Sequence, residues 1–368
     1  MLLTVAVGCA SAPPVTSAPG GAGSTAPPTS GRPPSTGSTS QPARWTVTTL
    51  PHLDLWLHSF ALISNDTAAV PLFRRNYRDS LTSIKNRSNA QTSLDANRDA
   101  LSRRLNANPA LVQAQFLAFQ FASFADLQNA ADKFQQLQGD PKRATDQATA
   151  TLVAQFAASF PGAAERDWLR LFLLSVTDED TRFYNNEYQR VMRQRAAVLS
   201  AVNSEWQNRY RAKFERFLNN TSQRQGELLL SFPVGGEGRT VVDARGQTIV
   251  AVPFPARTSD ALEPIFVLAH EVTGNLVAGV VADNTTPAQQ RSGESSAFVS
   301  FSQVQGGLLL LQKIAPELAE PYARFYLAQG GKAVPSSNAV AALRSAFPLP
   351  QAMIDALSRQ IDIVLGGI

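Results

Sequence analysis

Residues 226–283 read GELLLSFPVGGEGRTVVDARGQTIVAVPFPARTSDALEPIFVLAHEVTGNLVAGVVAD, and this stretch decides the fold class. Three short apolar runs, residues 227–232, 240–242 and 248–254, are rich in Val, Leu, Ile and Phe. Between them stand GGEGR and DARGQ, both turn-forming in composition. The spacing predicts a small antiparallel β meander over 226–255, with VGGEGR as a hairpin turn. Residues 261–283 are apolar and carry no turn punctuation, which predicts one buried helix.

Working outward, helical patterns dominate both flanks. Toward the N-terminus, Pro51 can open a helix, and HLDLWLHSFALIS behind it is apolar nearly all round, so it belongs inside a core. The segment after Pro71 carries sparse apolar positions (Leu72, Phe73, Leu81, Ile84, Leu94, Leu101) on one helical stripe, broken at Asn108-Pro109. A Phe-rich stretch follows, and residues 163–219 read as one or two long helices. The run Asp178-Glu179-Asp180 reads as acids facing water. Within 181–216, eight Arg/Lys stand against three Glu, a solvated helix face. Toward the C-terminus, 294–315, 317–329 and 350–365 are helical. The expected fold is therefore mainly α with a small antiparallel β meander (α+β). It divides into a helical region, 44–222, and a meander plus helices, 223–368, which is enough chain for two lobes.

Composition removes several chemistries. With 44% hydrophobic and 17% charged residues the chain as a whole can build a core. One Cys excludes an internal disulfide framework, a thiolate zinc cluster and an iron–sulfur site. Three His leave room for one histidine-based metal site at most. There is no phosphate loop ending in Lys-Ser/Thr and no GxSxG elbow. A net charge of +4 gives no ground for a nucleic-acid partner.

The start of the chain has its own signature. Residues 1–10, MLLTVAVGCA, are apolar but far shorter than the roughly twenty residues a bilayer span requires. They read as the end of a signal peptide. Ala6-Val7-Gly8-Cys9 resembles the lipobox of bacterial lipoproteins, and Cys9 is the sole cysteine. The resemblance implies that residues 1–9 form the signal and lipobox, that Cys9 is acylated, and that the chain is anchored to a membrane at the cell envelope, facing the periplasm or the surface. No Lys or Arg precedes the apolar run, where that family carries a basic segment. Residues 10–43 hold eight Pro, five Gly and seven Ser with Arg32 the only charge. Such a composition buries too little apolar surface to offset its ordering entropy, so it predicts a disordered tether.

One word in the apolar helix carries candidate chemistry: His270-Glu271-Val272-Thr273-Gly274. It resembles the HExxH signature of zinc metallopeptidases, in which two His four apart share a helical face and the Glu activates a metal-bound water. Here Gly274 replaces the second His. In the gluzincin clan of that family a Glu on the next helix completes the ligand set, and Glu294 lies twenty residues past Gly274. The C-terminal half thus resembles a zincin-like core with a degenerate motif. That resemblance implies zinc as cofactor, His270 and Glu294 as metal ligands and Glu271 as catalytic base. His58 is a candidate stand-in for the missing ligand, because Asp54 lies one helical turn before it and carboxylates commonly orient metal-bound His. Tyr322 and Tyr326 share a later helix face, as oxyanion donors or as core packing. The bland alternative seals His270 in a core and pairs Glu271 with an arginine such as Arg291.

Three functions remain open at this level. The first is a lipid-anchored, zincin-like protein with a degenerate site, non-catalytic or altered, holding a peptide or protein partner in the old cleft. The second is a helical envelope scaffold or binding lipoprotein with no enzymatic ancestry. The third is an active zinc peptidase using a non-standard third ligand.

Overall fold

The structure, a computed structural model, describes residues 43–65 and 68–366. Cys9 and the segments expected to be a signal and a tether lie outside the described residues through residue 42. The described chain is mostly helical around a small four-stranded mixed sheet, an α+β arrangement.

The sheet differs from the expected meander. Its strands are β1 (Arg44–Thr48), β2 (Gln225–Ser231), β3 (Arg239–Val242) and β4 (Thr248–Pro253), in the order β1-β2-β4-β3. β2 pairs with both β1 and β4 in parallel, and only β3 runs antiparallel to its neighbour. The physical reason is burial. Every residue of β4 and most of β2 are buried, as suits central strands covered on both faces. Arg239–Val242 stays half-exposed and takes the edge. VGGEGR is therefore not a hairpin turn: it carries the chain past β4 to the far edge, whereas DARGQ does close a hairpin, with Gly246 at φ 77° and the Asp243 amide on the Gln247 carbonyl. β1 was hidden in the sequence because RWTVT directly follows the tether.

Helices before residue 222 and after it share the sheet. One hydrophobic cluster extends from Trp45 to Ile361. The Trp206 indole donates to the Trp45 carbonyl at 3.1 Å, and Trp45 lies against Gly226, where a Cβ would come within 2.6 Å of its ring.

Two expected long helices are interrupted. Residues 72–105 form Tyr77–Ser88 and Ser93–Ala107, separated at Asn89 in the left-handed region and restarted by a Thr92/Asp95 capping box. Residues 163–220 run almost continuously but with two π turns, Asp180–Tyr184 and Trp206–Tyr210. The apolar helix of 261–283 also breaks. It consists of Glu263–Val272 and Gly274–Asn284, bent by 42°. At the break the Thr273 hydroxyl donates to the His270 carbonyl at 2.9 Å, taking it from the helical ladder. No single helix among the described residues is long and apolar enough to cross a membrane.

The Glu263–Val272 helix is crossed closely by Glu294–Ile314. Contact occurs at Gly307, where a Cβ would sit 3.0 Å from the His270 main chain and 2.3 Å from the Tyr322 hydroxyl. Gly279 in the neighbouring helix has nothing within 4 Å of its would-be Cβ. Gly307→Ala should therefore destabilise by about 2 kcal/mol through overpacking. Gly279→Ala should be neutral or gain up to about 1 kcal/mol in helix propensity. Urea denaturation of both variants checks this contrast.

Candidate functional site

His270 and Glu271 sit in the last turn of the Glu263–Val272 helix, both buried. His270 Nδ1 is 3.2 Å from Glu271 Oε1. Glu271 Oε2 accepts the Thr240 amide at 2.5 Å. Strand parity explains that bond. Asp243 is hydrogen-bonded to Gln247, so in the two-residue alternation Thr240 and Val242 turn their amides and carbonyls away from β4. Glu271 thus satisfies an outward amide of the edge strand, and the Gln120 side chain donates to the outward carbonyl of Val242 at 3.0 Å. Burial pushes the Glu271 carboxyl up, but the hydrogen bond and charge of His270 and the charge of Arg239 more than offset it, leaving it below the ordinary value. Arg291, a candidate partner in sequence, is exposed instead.

The surroundings close over this pair. Tyr326 stacks on His270, with centroids 5.2 Å apart and planes 15° apart, and its hydroxyl donates to the Gly236 carbonyl at 3.0 Å. Tyr322 donates to the Val304 carbonyl at 2.9 Å. Both phenols are spent on the main chain and fully buried, so packing, not oxyanion binding, is their use. Gly238, at φ 65°, presses against Val267 and Glu271, where any Cβ would come 2.3 Å from Val267 Cγ1.

The proposed metal ligands are not brought together. Glu294 is exposed at the N-terminus of the Glu294–Ile314 helix. His270 is level with Gly307 of that helix, and at about 1.5 Å rise per residue Glu294 lies about 20 Å further along it. One zinc holds its donors at about 2 Å, so it cannot join the two. His58 is committed elsewhere, as described next. Among the described residues no three His, Cys, Asp or Glu side chains form a group able to hold a metal ion.

A second polar cluster, missed in the sequence, lies within the helical region. Glu179, with zero exposure, ends the Ala163–Glu179 helix. Its Oε1 is 3.0 Å from His58 Nε2, and its Oε2 accepts Lys85 Nζ at 2.6 Å and the Thr92 hydroxyl. Lys85 also reaches Asp95 Oδ2 at 2.7 Å. His58 Nδ1 lies 2.9 Å from the Tyr77 hydroxyl, so both ring nitrogens are occupied. Tyr184 stacks on His58 with centroids 3.9 Å apart and donates to Asp54 Oδ2 at 2.6 Å. Asp54 Oδ1 accepts the Phe232 amide at 2.9 Å. So Asp54 does not orient His58: Glu179 does, and Glu179 does not face water as the Asp178–Asp180 run suggested. A signal was present. Phe172, Val176, Glu179 and Phe183 lie on one helical stripe, which places the acid among apolar residues. His52, the third histidine, is bonded through Nε2 to the Phe121 carbonyl at 3.0 Å.

The His270–Glu271 pair and the Glu179 cluster are both buried. Both are hydrogen-bonded cores of the kind that satisfy buried charge. Comparison with protein-family models, curated proteins and solved structures finds no match.

The Glu179 cluster sets an acid limit on stability. Burial alone would raise this carboxyl, but His58 and Lys85 hold it down at about 2 against an ordinary 4.5. A folded-state value below the unfolded one contributes stability that is present above about pH 4.5 and is lost as pH falls toward 2. Chemical denaturation from pH 7 to 2 should show this loss. Glu179→Gln should cost about 3 kcal/mol at pH 7 by removing the buried carboxylate that faces both His58 and Lys85, leaving Lys85 with Asp95 alone as its counter-charge, and should flatten the acid limb. An unchanged acid limb in Glu179→Gln would assign the loss to other carboxylates.

Proposed function

We propose that this chain is a lipid-anchored protein of the bacterial cell envelope, held to a membrane through Cys9, whose folded body binds a partner instead of cleaving one. The His270-Glu271 word is then a degenerate zincin-like element with a structural job. The observation that carries this reading is the state of Glu271. A general base must lie within hydrogen-bond reach of the water it deprotonates. Here one carboxylate oxygen takes the Thr240 amide and the other faces His270, in a buried site. Gly274 provides no second imidazole, and Glu294 lies about 20 Å away along its helix. Support for the anchor is the lipobox-like Ala6-Val7-Gly8-Cys9 with its Pro/Ser/Gly-rich tether, leading directly to β1 at Arg44.

Two measurements test this reading. Full-length protein in a bacterial host should take up labelled palmitate and sediment with membranes, and Cys9→Ser should abolish both. Acylation that persists in Cys9→Ser removes the anchor. Purified protein should contain far less than one zinc per chain by elemental analysis. One equivalent of zinc that disappears in His270→Ala would instead restore the metallopeptidase reading.

A further inference from the structure

We draw no further inference here: the strongest candidate, the outer face of the hairpin made by the Gly274–Asn284 helix and the first turns of Glu294–Ile314, where Ala278, Gly279 and Ala282 are exposed and Leu276 and Phe298 only half-buried, is an unpartnered face of small and apolar residues, and nothing in the structure shows what covers it.

Discussion

The helical half of the molecule depends on one buried carboxylate. Glu179 has no exposure, and an ionised carboxylate in such a place costs several kcal/mol unless every lone pair is engaged. The answer recruits three other helices at once. His58 comes from Pro51–Ile63, Lys85 from Tyr77–Ser88, and Thr92 with Asp95 from the start of Ser93–Ala107. Geometry at the next turn makes this work. In the π turn Asp180–Tyr184, Phe183 and Tyr184 are both buried and Tyr184 stacks on His58.

The C-terminal half solves a different problem with the same residue types. An edge strand presents outward amides and carbonyls that demand partners. Glu271 takes one, the Thr240 amide, and Gln120 covers another, the Val242 carbonyl. Gly307 lets a helix cross directly over His270, and Gly238 lets a loop close over Glu271. A histidine–glutamate neighbour pair therefore serves here as a packed hydrogen-bonded unit. Its two groups meet each other and the Thr240 amide in a buried place.

How far these features can be read in a sequence depends on the range of the interaction. Pro51 at a helix start, the Asn108-Pro109 break, the DARGQ hairpin and the buried 51–63 segment follow from local rules, and each appears in the fold. Strand order does not. In a meander GELLLS and TIVAVP would lie on either side of the 240–242 run, yet they pair with each other in parallel and β3 lies outside them, because two largely buried strands belong in the middle of a sheet. The break at Thr273 was likewise obscured, since a hydroxyl taking a carbonyl one turn back is compatible with a continuous helical pattern. Glu179 was hidden among two other acids, although its apolar stripe was visible.

By itself the sequence determined the inventory: a leading segment rich in Pro, Ser and Gly, one cysteine at a lipobox-like word, helices with a few β runs, and few His and Cys. These follow from composition and from periodicities of a few residues. Only the tertiary structure decided which groups meet. Contacts such as Glu179 with Lys85, Glu271 with Thr240 and Gly307 with His270 join residues separated by many turns of chain. Whether a polar side chain is a reagent or a tie is set by what remains of its lone pairs and protons after packing, and packing is a property of the whole fold.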